Sequence, residues 1–486
     1  MESQTHFHDA GAGEPLLLPP ALEPGFLPLF RDRADLQAKI AASGGGIRVV
    51  VAVEQLGGSA WRRTTAVHKP GHPDEAASWR AVERLCKFLL WSRGGCRLHV
   101  DGPEPLVAWL RRHYEADPAG VFDAAFMGPK LFGAAFEVRA TREAEMPPDR
   151  DAVVALGGHL DGCRIGFDLG ASDRKAAAVI DGDVVFSEEV LWDPTTQTDP
   201  QWHIDQIDDS LRRAAAHLPR VDAIGGSSAG VIVDNEVRAA SLFRSVPPDL
   251  FDTRVRGLFR ELQTRWGRVP FEVANDGEVT ALAGSMLTGH GALLGIAMGS
   301  SQAAGYVDRD GRLTSRIDEL AFAPVDANPG APLDEWSGDR GCGVQYFSQQ
   351  ATARLMSAAG LEVEPGTPLP ERLVQLQAQM SAGDARAEAV YRTVGRCLGY
   401  SLFTYREEYD FDHLLLLGRV MTGSGGDMII DEARAVLTAE DPAVAEQVTI
   451  HLADERQKRH GQAVAAASLP ELDGKTAPMP VNGGAA

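Results

Sequence analysis

Three short stretches set carboxylates beside small residues. In "GFDLGASDRKAAAVIDGDVV" (166–185), Asp168 ends an apolar run and is followed by Gly170, Ser172 and Lys175. In "VPFEVANDGEVTALAGSML" (269–287), Asn275 and Asp276 stand between an apolar run and an Ala-rich one. In "ALLGIAMGSSQAAGYVDRDGRL" (292–313), Gly299, Ser300 and Ser301 interrupt two apolar runs. Taken singly, an Asp in a hairpin is a turn residue, and Asn-Asp before a helix is an N-cap. Taken together they suggest a nucleotide site. Small residues let backbone N–H groups approach a phosphate, and a carboxylate can hold the magnesium that accompanies it.

The elements that must position these residues follow from periodicity. The first and third stretches read as hairpins and the second as a strand, a polar corner and a helix. Between them, "WHIDQIDDSLRRAAAHL" lines up Ile204, Ile207, Leu211, Ala215 and Leu218 on one helical face. "VDAIGGSSAG" (221–230) reads as a buried strand ending in a Gly/Ser turn. Further helices are expected around 345–359 and 385–408. "HLLLLGRVMTGSGGDMIIDEARAVL" then reads as a strand, a Gly-rich loop and a helix. Upstream, 26–150 reads as a separate α/β domain without a helix-turn-helix. Residues 1–25 read as a flexible arm, and 469–486 as a disordered tail. The rest divides into 160–285 and 286–468.

Composition narrows the class. The chain has 486 residues, 44% hydrophobic and 24% charged, as in ordinary globular proteins. No apolar stretch approaches the ~18 residues needed to cross a bilayer, and the N-terminus lacks the basic start and apolar core of a secretory signal. Five scattered cysteines suit reduced thiols in a cytoplasm. A net charge of −21 argues against nucleic acid as a partner. The basic runs "WLRRHY" (109–114) and "RQKRHG" (456–461) read as solvated helix faces.

The order of motifs over 163–468 resembles the ROK family of sugar kinases and repressors, within the sugar kinase/actin-like ATPase superfamily. The family's Asp-x-Gly-Gly-Thr hairpin is here "DLGAS", followed by Lys175. Its Asn-Asp-Ala-Asn corner is "NDGEVTALAG", and its second phosphate hairpin is "GSSQAAG" (299–305). Its small-residue turn is "GSSAGVIVD", its sugar-contact segment is "ELAFAPVD" (319–326), and its C-terminal Gly-rich strand end is "LLLLGRVMTGSGGD".

The resemblance implies an α/β, two-lobed, RNase H-like (actin/hexokinase-type) ATPase fold, carrying an additional N-terminal α/β domain. It implies ATP and Mg²⁺, with Asp168 holding the hydrated metal through water. Gly170, Ser172, Lys175, Gly299, Ser300, Ser301 and Gly418 would approach the nucleotide. Asp276 would take the proton of an attacking hydroxyl, and Asn275, Glu319, Ser241 and Gln345 would bind the acceptor. A homodimer is a further expectation of the resemblance.

The departures matter as much. The family's zinc cluster of three Cys and one His becomes "EWSGDRGCGVQYFSQQ" (335–350). Only Cys342 is kept, Glu335 and Ser337 take the first two Cys positions, and Phe322 replaces the His. One thiol cannot close a tetrahedral site, so no zinc is expected. A sugar-contacting Glu is replaced by Val344. The phosphate machinery is kept while the hydroxyl-reading groups are changed, which points to a sugar or cyclitol other than glucose. Ala171 and Ser301 stand where the family has freer residues, and Arg419 stands where it has Gly. These leave open a catalytically silent sugar- or nucleotide-binding protein with a regulatory role.

Overall fold

In a computed structural model of the chain, the described residues are 14–151, 156–453, 455–472, 474 and 478–480, with the side chains of 455–460 and 480 outside the description. The chain forms two compact units. The first comprises Met1–Ala152, Ile296–Ala304 and Ser315–Leu452; the second comprises Val153–Gly295, Gly305–Thr314 and Ala453–Ala486.

The first unit begins with a four-stranded sheet, β1 (Ile47–Glu54), β2 (Ala60–Val67), β3 (Arg97–Asp101) and β4 (Glu137–Ala140), in the order β2-β1-β3-β4. Its inner strand β1 carries the unbroken apolar run Val49–Val53, wholly buried, as a strand covered on both faces must be. The helix Glu75–Arg93 connects β2 to β3, and the helix Glu104–Ala116 follows β3. Arg111 and Arg112 lie exposed on the latter. The side chains of Arg456–His460, in the other basic run, lie outside the described residues.

The second unit holds β5 (Cys163–Leu169), β6 (Asp173–Ile180), β7 (Asp183–Leu191), β8 (Arg220–Val221), β9 (Ala223–Ser228), β10 (Val231–Val233), β11 (Glu236–Ala239) and β12 (Phe271–Asn275). Its main sheet has the order β7-β6-β5-β9-β12. β5, β6 and β7 pair antiparallel, whereas β9 pairs parallel to both β5 and β12. That order and those directions are what an RNase H-like unit requires. On one face, Ile204, Ile207 and Leu211 of the helix Pro200–Ala215 join Ile165, Phe167 and Ile224 in a buried cluster.

On the other face the helix Glu455–Ala467 lies directly on the sheet backbone. A Cβ at Gly166 or Gly225 would come within 1.7 Å of the carbonyl oxygens of Ala463 and Ala466. Overpacking of this kind costs about 1–3 kcal/mol or more. Gly225→Ala is therefore expected to lower the urea midpoint by at least that equivalent, while leaving the far-UV spectrum of the folded protein unchanged.

The first unit is completed by β13 (Leu293–Met298), β14 (Gln302–Val307), β15 (His413–Leu417) and β16 (Thr449–Leu452), in the order β14-β13-β15-β16. The unit boundary cuts β13 after Gly295 and β14 after Ala304, so the hairpin tip belongs to the first unit. No helix among the described residues is long and apolar enough to cross a membrane.

The structure differs from the sequence reading at both ends. Residues 14–25, read as part of a flexible arm, are tied to the first unit. Leu18 N donates to Tyr400 Oη at 3.1 Å, Leu22 N to Thr393 Oγ1 at 3.4 Å, and Arg396 Nη1 to Pro19 O at 2.8 Å. In the tail, β17 (Met479–Pro480) pairs antiparallel with β8.

The block 26–150 shares its core with later segments rather than closing on itself. Lys87 Nζ lies 3.0 Å from Asp123 Oδ1 and 2.8 Å from Asp339 Oδ2, and Arg84 Nη1 lies 2.8 Å from the same Asp339 oxygen. Beside this network the Trp91 ring packs 4.5 Å from Phe322, and Phe322 packs 5.3 Å from Trp336.

Candidate functional site

In the second unit, the parallel register of β5, β9 and β12 sets Asp168 opposite Ser227 and Ser227 opposite Ala274. One step further along, Leu169, Ser228 and Asn275 form the next row. Asp276 follows at once, as the first residue of the helix Asp276–Thr288. The carboxyl ends of parallel strands are where α/β sheets present ligand-binding groups. Two carboxylates more than a hundred positions apart in sequence are thus delivered to one sheet edge.

Each carboxylate is held differently. Asp168 is buried; Ser227 Oγ donates to its Oδ1 at 2.6 Å, and Lys175 Nζ donates to its Oδ2 at 3.1 Å. Lys175 also donates to Asp173 Oδ1 at 2.6 Å. Burial works against the Lys175 ammonium, but Asp168 and Asp173 outweigh it and raise its pKa. Asp276 is half-buried, and among the described residues no cation hydrogen-bonds to it. Burial first, and the Asp168 charge second, push its carboxyl up to about 6. A carboxylate paired with an ammonium beside one poised near neutrality is the separation of roles that acid–base chemistry exploits.

Asn275, expected to bind the acceptor, also caps the helix that carries Asp276. Its Oδ1 accepts from Gly277 N at 2.7 Å, its Nδ2 donates to Gly230 O at 2.7 Å, and Glu278 completes a capping box. The amide therefore fixes the start of the helix that carries Asp276. Gly305, the last residue of "GSSQAAG", presses on the same helix start, because a Cβ there would lie 2.3 Å from Gly277 O. Ser172 is exposed at the β5–β6 turn and donates to Asp173 Oδ2 at 3.0 Å, while Gly170 N closes the turn on Asp173 O at 2.9 Å. Ser241 is exposed at the start of a short 3-10 turn after β11.

Two residues here escaped the sequence reading. Ser227 anchors Asp168, and the buried Ser228 hydroxyl has no hydrogen-bond partner. The run "GSS" was visible, but it reads as a turn, whereas both serines are the last rungs of β9.

In the first unit, the structure brings together Gly299 and Gly418. Gly418 has a φ of 102°, and a Cβ there would sit 2.4 Å from Met298 O, immediately before Gly299. Gly299 N closes the hairpin tip on Ser301 O at 2.9 Å, and Ser300 and Ser301 are exposed. Arg419 is exposed, and its carbonyl accepts from Gln377 Nε2 at 2.9 Å. Ser301 and Gln345 both line a cavity of about 580 Å³ with Phe322, Trp336, Arg354 and Arg372. Glu319 is half-buried and lies outside that lining.

Cys342 is buried. Its thiol lies 3.9 Å from the Ser337 hydroxyl. Ser337 itself donates to Asp334 at 2.6 Å. Burial pushes the thiol up to about 12, although the nearby Lys87 ammonium pulls the other way. For hydrated magnesium, the donors fit. Asp168 is an oxygen ligand whose two oxygens are already engaged, which favours contact through water.

No family model matches the chain, and no curated protein matches it. Solved structures do. The ROK hexokinase from Thermus thermophilus is 20% identical, aligning 63% of this chain with 97% of its own at a TM-score of 0.49. A ROK family glucokinase from Streptomyces griseus, solved with glucose and AMPPNP, is 21% identical, with 63% and 98% aligned and a TM-score of 0.47. A ROK family transcriptional regulator, described as a homolog of the E. coli MLC protein, is 19% identical, with 64% and 79% aligned and a TM-score of 0.47.

Proposed function

We propose that this chain transfers a phosphoryl group from Mg-ATP to a hydroxyl of a sugar or cyclitol other than glucose. The observation that carries this reading is Asp276. It is a carboxylate raised to about 6, at the same sheet edge as a second, ion-paired carboxylate. A base of that pKa is ionised at neutral pH yet still basic enough to take a hydroxyl proton. Positioned general bases supply about 10²–10⁴ in rate.

The other side chains act around that proton transfer. Asn275 and Glu278 fix the helix start, so Asp276 approaches the acceptor from a defined direction. Ser227 and Lys175 hold Asp168 in place, from where it would hold the donor's hydrated metal through water. Lys175 adds positive charge at the β5–β6 turn, where the small, exposed residues Ala171 and Ser172 would let backbone N–H groups approach phosphate oxygens. Mg-ATP supplies the phosphoryl group and a leaving group whose charge the metal neutralises.

The acceptor class follows from what has been lost. Phe322 is packed against Trp91 and Trp336 and Val344 is buried, so neither can pair with a hydroxyl. A site that leaves a substrate hydroxyl unpaired loses about 1–3 kcal/mol for each one, which disfavours glucose.

The test is ADP release with Mg-ATP and a panel of hexoses, pentoses and cyclitols. The expected result is turnover stimulated by one acceptor class and not by glucose. Nucleotide or sugar binding without turnover across the panel would shift the reading to a silent, regulatory binding protein. Hydrolysis indifferent to every acceptor would make it an ATPase.

A further inference from the structure

The strongest unassigned cluster lies far from this chemistry in sequence, in "HKPGHPD" (68–74) between β2 and the helix Glu75–Arg93. We propose that His68, His72 and Asp74 bind a divalent transition-metal ion of the zinc class, clasping this loop. One donor atom from each residue lies within 4.8 Å of the other two.

Two independent features set the cluster apart from a chance gathering of polar groups. His68 is 1% exposed, and among the described residues neither of its ring nitrogens has a hydrogen-bond partner. Buried polar side chains are overwhelmingly paired, and an unpaired one calls for an absent water or ion. Asp74 is the N-cap residue of the following helix, where a carboxylate normally accepts a backbone N–H of the first turn. Here it makes no capping bond. An imidazole and a carboxylate, each without its usual partner, therefore meet in one short loop.

The loop keeps the three residues close together. Pro70 and Pro73 restrict it, and Gly71 takes a φ of 83° at its apex. His68 N donates to Ser78 Oγ at 3.4 Å, and Asp74 N donates to His72 Nδ1 at 3.1 Å. The His68 and His72 rings stack with centroids 3.8 Å apart and planes within 2°. Parallel rings send their in-plane lone pairs along parallel planes. Shared coordination therefore requires His72, the more exposed of the two, to turn about its Cβ–Cγ bond. Two imidazoles and one carboxylate suit zinc, with water at the remaining position.

The probe is Zn²⁺ alone, titrated into the full chain at pH 7.5 by calorimetry. His6 and His8 offer a second imidazole pair, so the reference protein carries His6→Ala and His8→Ala. The expected result is one equivalent bound by the reference, with a rise in its thermal midpoint. Adding His72→Ala should weaken binding by at least tenfold and abolish the thermal shift; Asp74→Ala should weaken it in the same direction. Both positions lie outside the buried core, so the variants keep the fold, which the metal-free thermal midpoint verifies. No binding by the reference, or undiminished binding by the His72→Ala protein, overturns the proposal.

Discussion

Asp276→Asn should stop acceptor-dependent ADP release, lowering turnover by about 10²–10⁴-fold, and at the same time make the protein more stable at pH 8. The two effects share one cause. Burial and Asp168 raise the folded carboxyl from its usual 3.8 to about 6. Between those two values the folded chain holds a proton that the unfolded chain has released, so stability falls as pH rises through that window. Above pH 6 the full penalty of an ionised Asp276 is present. Two pKa units correspond to roughly 3 kcal/mol, and partial exposure reduces this to about 1–2 kcal/mol. Asn carries no charge and escapes the penalty. Urea unfolding at pH 8 should therefore show the variant as the more stable protein, with the gap closing toward pH 4. If the parent protein turns over as proposed, its kcat/KM should rise with pH through about 6 as Asp276 ionises. A variant that keeps its turnover, or is destabilised at pH 8, removes Asp276 from the role of base.

Lys87→Ala should destabilise the first unit by about 3–5 kcal/mol, because it leaves a buried charge without its partner. The Lys87 and Asp123 side chains are both fully buried. Burial alone pushes the Asp123 carboxyl up, and the ammonium and the Trp91 indole N–H, 2.8 Å from its Oδ1, only partly offset this. Asp339 keeps Arg84 when Lys87 is removed, but Asp123 keeps only the indole. The combined Lys87→Met and Asp123→Leu change should recover most of the loss, since apolar groups of similar volume often replace buried ion pairs without cost. Urea midpoints of the single and double variants check this. A single variant within 1 kcal/mol of the parent would mean that the pair is already neutral in the folded protein.

How much of this was legible in the sequence depends on the range of the interaction. The β5–β6 hairpin, the polar corner at Asn275 and the amphipathic helix with Ile204, Ile207 and Leu211 are local patterns, and the structure contains them. The pairing of Asp168 with Lys175 is cross-strand and local too. Ser227 was missed because serine is a poor strand former by propensity, and burial between two parallel neighbours overrode that preference. The cap at Asn275 is the reading its position alone suggests, and the resemblance drew attention away from it. The network of Lys87, Asp123 and Asp339 spans three distant segments, so no window of sequence contains it. The same holds for β17 against β8, and for residues 14–25 against the helix Ala385–Glu408. Such contacts are fixed by tertiary packing, to which propensity is blind.

The composition of the first unit also dictates a timetable. Its opening 152 residues complete their core only with strands and helices that end at Leu452. On a ribosome adding about 5–20 residues per second, the early segment must wait while about 300 further residues are made. During that interval Asp123 is already present, but Trp91 lacks Phe322, and Arg84 and Lys87 lack Asp339. A nascent chain halted before Asp339 emerges is therefore a natural client for holdase chaperones, and a gene fragment beginning near residue 153 would yield an orphaned Phe322 face rather than a smaller working protein.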